Sequence, residues 1–350
     1  SRTRFTLYAH DASRDHTVAA NRLSSLLRGH NGTLFVGSWA NGFSVHSPRT
    51  ESFARVESIA GDTRTLPSRQ ALSVWGDTDG TLWAGVLEGG GLVHLDPARG
   101  VIARYRHDEA VADSLSHDFV QFIRRTRDGS LWVATLGGGL NRMLPNGGGF
   151  EHFRHDPADP ASLAEDTILY IYEDGAGTLW FGTQNKGLDE RCATCTGFVH
   201  HPPAVDAAGN ASGPGGEAVG TIIETPKGDL WLGLRTGGLD RYDRNNRSFE
   251  HFRSDRNDPM SIGGDAVSTL AVDSRGELWV GTQGSGISHM LPGSERNPRF
   301  ENFGSREGLA ADAIGAIVED AQENLWISTT VGISRFDRKR KSFVNLGPHD

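Results

Sequence analysis

Short apolar runs alternate along the chain with polar, glycine-rich breaks, and one arrangement of the two keeps returning. Residues 120–153 show it in full: Val120-Gln121-Phe122-Ile123, a break at Asp128-Gly129, then Leu131-Trp132-Val133-Ala134. A second break at Gly137-Gly138-Gly139 follows, then Leu140-Asn141-Arg142-Met143 and Phe150-Glu151-His152-Phe153. Runs of this length between Gly/Asp punctuation predict strands and turns. The central phrase, Gly-x-Leu-Trp-x-Gly-Thr, places its aromatic at Phe35, Trp83, Trp132, Trp180, Trp231, Trp279 and Trp326, at steps of 48, 49, 48, 51, 48 and 47 residues. So even a period predicts seven units of four strands spanning 1–350 as one domain. The expected fold class is all-β, a seven-bladed β-propeller with four antiparallel strands per blade. A single blade cannot bury both faces, so the repeated aromatics read as packing between neighbours. Two segments compete for the outermost place in blade seven, residues 5–8 (Phe5-Thr6-Leu7-Tyr8) and 343–346 (Phe343-Val344-Asn345-Leu346). One of them is expected to pair there and close the ring, because open edges invite aggregation.

Composition narrows the function. Glycine, 45 of 350 residues, is well above the usual ~7%, and with 14 prolines it makes turns frequent and long helices unfavourable. A net charge of −9 argues against nucleic acid or an anionic membrane surface as partner. No stretch approaches the ~18–20 apolar residues of a membrane span, so any membrane link is expected through segments outside this chain. Beginning at Ser1 without a leader pattern, the chain reads as processed or excised. Cys192-Ala193-Thr194-Cys195 has the spacing of a redox pair or half a zinc site, without a second pair, a histidine spacing or a βαβ pattern to support either. In an oxidising compartment a local, structural disulfide is the favoured state. Gly-Lys-Ser/Thr, His-Glu-x-x-His and Gly-x-Ser-x-Gly are absent. No catalytic residue, metal or cofactor is assigned.

The units resemble the two-component regulator propeller repeat. Residues 129–163 carry most of the pattern: Leu131-Trp132-Val133-Ala134-Thr135, Gly138-Gly139-Leu140-Asn141-Arg142, His155-Asp156-Pro157 and Ser162-Leu163. The resemblance runs over essentially the whole chain and implies the extracytoplasmic sensor of a membrane receptor, with a kinase or cyclase output outside this chain. It also implies a periplasmic setting, an oligosaccharide or other small polar ligand, and a homodimer in the full receptor. The small immunoglobulin-like domain that often follows such propellers is not found here.

A ligand is expected on the face where the loops entering each innermost strand meet those joining the second and third strands. Two residues before the first apolar residue of each innermost strand (Leu23, Leu72, Val120, Ile168, Val219, Val267, Ile314) stand Asn21, Gln70, Asp118, Asp166, Glu217, Asp265 and Asp312. These can cap turns or form a ring of acceptors for sugar hydroxyls or a cation. The loops between second and third strands vary, offering Trp39, Asn41, Glu88, Leu136, Gln184, Lys186, Arg235, Gln283, Ser285 and Thr330. Variable side chains on a rigid repeat suit a binding face. Trp39 is the expected sugar-stacking platform, and Lys186 and Arg235 suit a carboxylate or sulfate. Arg69 and His117, beside the ring, complete the candidate ligand set. A non-enzymatic sensor is therefore the leading expectation. The alternatives are a polysaccharide lyase or glycoside hydrolase, which would need two carboxylates ~5–9.5 Å apart, and a protein-interaction scaffold.

Overall fold

The computed structural model describes residues 20, 23–28, 34–38, 42–47, 52–56, 62, 64–97, 99–145, 147–192, 194–204, 212–338 and 342–346, with backbone alone for some of the first and last strands. Within them, 28 strands pair into seven four-stranded antiparallel sheets, each built from one contiguous stretch of chain in simple up-and-down order. Blade three has inner strand Val120–Arg125, second strand Leu131–Thr135, third strand Leu140–Met143 and outer strand Phe150–Phe153. A single 3-10 turn, Ser305–Glu307, is the sole helical element among the described residues.

Second strands are the anchors. Leu131–Thr135 and its counterparts in five other blades are buried at every residue, because both faces of the sheet meet a neighbouring blade. Trp83, Trp132, Trp180, Trp231, Trp279 and Trp326 are all buried, at 7% exposure or less. Their side chains join apolar cores that straddle adjacent blades, such as Trp180 with Val219, Ile222 and Tyr242. The described side chains form six such cores, one at each junction other than that from blade seven to blade one, where many side chains lie outside the described ones. At that junction His46 of blade one stands 5.6 Å from the Trp326 ring of blade seven.

The outer strand of blade seven is Ser342–Leu346, which pairs with Gly332–Asp337. Residues 5–8 lie outside the described residues. Among the described residues no strand crosses the closure, and blade one's inner strand packs beside that of blade seven.

Every inner strand carries a register shift near its start, at Leu23/Ser25, Ala71/Ser73 and the equivalent places in the other five. The residue left out of the ladder (Leu72, Gln121, Leu169, Gly220, Ser268 or Gly315) and the one after it both line the central channel. A bulge re-aims side chains in this way.

Candidate functional site: the central channel and its mouth

Backbone hydrogen bonds build the mouth. In blades two to six the residue following the second strand donates its N–H to the carbonyl just before the inner strand: Leu87 to Gln70, Leu136 to Phe119, Gln184 to Thr167, Arg235 to Ala218, Gln283 to Ala266. This pairing corrects the alignment of blade two in one place: the inner strand starts at Ala71, so that Arg69, not Gln70, aligns with Asp118 and Asp166. Glu88 sits exposed beside the mouth, accepting from Ser68 and Gln70 at 3.1 and 3.2 Å.

The acidic ring is largely employed in joining blades. Asp118, Asp166 and Asp265 each accept at 2.7 Å from the backbone N–H of His107, His155 and Ser254, which follow the outer strand of the preceding blade. Asp312 does the same for Ser305 at 2.6 Å. The backbone carbonyl of Asp166 takes the Gly139 N–H at 2.8 Å, and Gly139 has φ +74° there, with a Cβ position only 2.2 Å from the Phe153 carbonyl. Each acid thus ties a blade's exit to its neighbour's entry, rather than capping its own turn. Arg106 lies 3.5 Å from Asp118, and the His117 ring accepts from the Phe119 N–H at 3.0 Å. Gln184, Lys186, Arg235 and Gln283 stand exposed around the face, and of these Arg235 and Gln283 reach the channel lining. Trp39, Asn41 and Asn21 lie outside the described residues.

The channel beneath has a volume of about 570 Å³ and two unlike walls. Blades two to four contribute Trp75, Phe122, Arg124 and Tyr170; blades five to seven contribute Gly220, Thr221, Ser268, Thr269, Gly315 and Ala316. Phe122 and Tyr170 meet at 4.2 Å between ring centroids. The Arg124 guanidinium lies between the Trp75 and Tyr172 rings, 5.9 and 4.8 Å from their centroids. Such stacking offsets part of the cost of burying the charge. Its Nε has no hydrogen-bond partner, and it makes no ion pair among the described residues. Burial pushes the Tyr170 phenol up, against the pull of Arg124 and a hydrogen bond with Thr221. Partial loss of water lowers Arg235 from the usual arginine range.

Sequence reasoning missed Trp75, Phe122, Arg124 and Tyr170. The available signal was Trp75 itself, a tryptophan off the repeated position on an inner strand. Cys192 and Cys195 form a disulfide in the turn between the third and outer strands of blade four. Asp273, Glu277 and His289 bring ligand-type atoms within 4.8 Å of one another. They are bound into a local network, with Asp273 accepting from Trp279 and Arg338 and Glu277 pairing with His289.

An all-β propeller with a tailored mouth over an asymmetric channel is a scaffold used for binding and for catalysis alike. The chain carries two-component regulator propeller repeats: residues 162–185 and 261–284 match the family described as two component regulator propeller. No curated protein matches the chain in sequence. Among solved structures it is similar to PorZ, a surface component of the type-IX secretion system of Porphyromonas gingivalis, at 17% identity and TM-score 0.70 over 93% of this chain and 47% of that one. Virginiamycin B lyase from Staphylococcus aureus matches at 12% identity and TM-score 0.62, over 89% of this chain and 93% of that one. The extracellular domain of a hybrid two component system, BT4673 from B. thetaiotaomicron, matches at 18% identity and TM-score 0.43, over 95% of this chain and 49% of that one. The chain therefore spans about half the length of that extracellular domain. At these identities the first two likenesses establish the propeller fold alone. No helix among the described residues is long and apolar enough to cross a membrane.

Proposed function

We propose that this chain is a non-enzymatic, ligand-binding sensor domain of an extracytoplasmic signalling receptor, taking an acidic oligosaccharide into the central channel from its mouth. One observation carries the reading: the channel sets ring faces and Arg124 opposite a wall of hydroxyls and glycines, with a second arginine, Arg235, on the side of that wall. Ring faces suit the apolar face of a sugar, hydroxyls exchange hydrogen bonds with it, and guanidinium groups suit a carboxylate or sulfate. The described lining holds no carboxylate, imidazole or thiol, so it offers donors for binding and no pair of acids for glycoside cleavage. The two-component regulator propeller repeats support the receptor role. The Cys192–Cys195 disulfide supports an oxidising compartment. Output and membrane segments belong to the rest of the receptor, which would act as a homodimer.

Calorimetric titration with neutral and uronic-acid oligosaccharides tests this. The acidic series should bind and be recovered unchanged, and Arg235→Ala and Trp75→Ala should each weaken it about tenfold or more, equivalent to about 1.4 kcal/mol. Turnover of the bound glycan, or affinity unmoved by both substitutions, overturns the proposal.

A further inference from the structure

On the face opposite the mouth, where the turns between inner and second strands lie, the blades are joined by a recurring relay. An aspartate six residues before the repeated tryptophan accepts its indole N–H: Asp77 from Trp83, Asp174 from Trp180, Asp273 from Trp279 and Asp320 from Trp326, at 2.7–2.9 Å. Three of these carboxylates also receive an arginine of the next blade, Arg125, Arg244 and Arg338, at 2.5–2.9 Å. The residue three places after the first apolar residue of the next blade's third strand then covers the tryptophan with a ring, as Tyr242 covers Trp180 at 5.4 Å and Phe336 covers Trp279 at 5.6 Å.

The junction from blade three to blade four breaks this plan twice. Thr126 stands in the aspartate's place, its hydroxyl turned to Asp128 and to the Ser130 carbonyl. The Trp132 indole N–H is left without an acceptor among the described residues. The covering residue is Arg191, whose guanidinium lies 5.5 Å from the Trp132 ring and 4.8 Å from Phe153. A pocket of about 450 Å³ opens there, lined by Trp132, Arg142 and Arg191. Around it Arg127 pairs with Glu173 at 3.1 Å and Arg142 with Glu151, while Asp128, also in the lining, accepts from the Thr126 hydroxyl and from the backbone N–H and hydroxyl of Ser130. Arg191 has no carboxylate partner among the described residues, and its buried Nε has no hydrogen bond. Burial, and then the neighbouring Arg142, hold its guanidinium below the usual arginine range. Blade five also has a threonine, Thr225, in the aspartate's place, but there the next blade brings Met290 and the pocket shrinks to about 180 Å³. Among the described junctions, blade three alone lacks the acid while an arginine takes the place of the covering ring.

We propose that this groove between blades three and four is a second ligand site, which binds a carboxylate of a small acid on Arg191 and the Trp132 indole N–H, in the place an aspartate fills at other junctions. A carboxylate accepts both donors at once, and the guanidinium fork favours it over a neutral hydroxyl. The site is separate from the channel and does not depend on the channel's ligand.

Protein labelled with nitrogen-15 at tryptophan gives eight indole signals, and Trp132→Phe assigns the one that matters. Galacturonate and succinate, added at millimolar concentration, should both move the Trp132 signal, and galactose should not. A shift with galacturonate alone would place the sugar ring, not just the carboxylate, in the groove and overturn the small-acid assignment. Thr126→Asp, which supplies an internal acceptor, and Arg191→Tyr, which copies blade five, should each weaken the response at least tenfold. In both variants the other indole signals should hold their positions and report an intact fold. Arg235→Ala should leave the response unchanged, separating this groove from the channel. A Trp132 signal that stays still in the parent protein, or moves equally in both groove variants, overturns the inference.

Discussion

The junction after blade four and the junction after blade three use the same backbone and finish it differently. After blade four, Asp174 holds the Trp180 indole at 2.8 Å and Arg244 at 2.9 Å, and Tyr242 seals the ring. After blade three, a threonine and an arginine replace acid and ring, and a pocket remains. Both tryptophans are equally buried. The comparison separates two tasks that the repeat motif merges: the tryptophan supplies apolar area, while the acid settles the polar and charged groups around it. A blade needs the first to pack and can forgo the second, at the cost of donors left open.

The largest effect expected is on the tryptophans. Trp180→Ala should cost about 3–5 kcal/mol in urea melts, the range for truncating a packed aromatic. Trp132→Ala should cost less, since it opens onto an existing pocket and gives up no hydrogen bond. Equal losses would show that the pocket is filled by side chains in solution and would erase the contrast.

Next come the acids. Asp174→Ala leaves the buried Trp180 indole N–H without its acceptor and takes from Arg244 one of two carboxylates, Glu224 remaining at 2.6 Å, for about 1–3 kcal/mol. Thr126→Ala removes one hydroxyl whose hydrogen bonds run within its own turn, for about 1 kcal/mol. A cost below about 1 kcal/mol for Asp174→Ala would show that the relay is ornamental at the closed junction too.

The smallest effect is a pH trend. His94 and His289 stack on Trp83 and Trp279, each at 4.1 Å between centroids, where other blades stack arginine. Burial lowers both imidazole pKa values, opposed by Asp77 beside His94 and by Glu277 beside His289. With the folded pKa below the unfolded value, the unfolded chain takes up protons first as pH falls. Stability is therefore complete above about 6.5, the unfolded histidine value, and declines below it. Melting temperatures between pH 7.5 and about pH 5 should fall, and His94→Gln with His289→Gln should flatten the slope. An unchanged slope in the double variant would assign the decline to other groups.

Strand count within a unit and the buried tryptophans were legible because large apolar residues repeat at fixed steps, which reflects burial directly. Register was not. Ala71 and Leu72 are both apolar, so only the Leu87–Gln70 hydrogen bond shows which begins the strand and moves Arg69 into line with Asp118. The acids at the mouth were visible as a column, but their partners sit in the preceding blade, 7 to 11 residues back, where a repeat alignment does not look. Trp75 and Arg124 went unnoticed because the bulge in each inner strand shifts which side chains face the axis, and no residue type announces a bulge. Arg191 was visible throughout. Its meaning needed the knowledge that its position covers the tryptophan of another blade.

The bulge has a further consequence, for how such a domain changes its ligand. A residue outside the ladder owes nothing to strand pairing, and its neighbour beyond the shift faces the same open axis. Leu72, Gln121, Leu169, Gly220, Ser268 and Gly315 already differ in size, polarity and backbone freedom, on strands whose pairing is the same. Specificity can therefore drift at these places one substitution at a time, while the frame that folds the ring carries no record of the change.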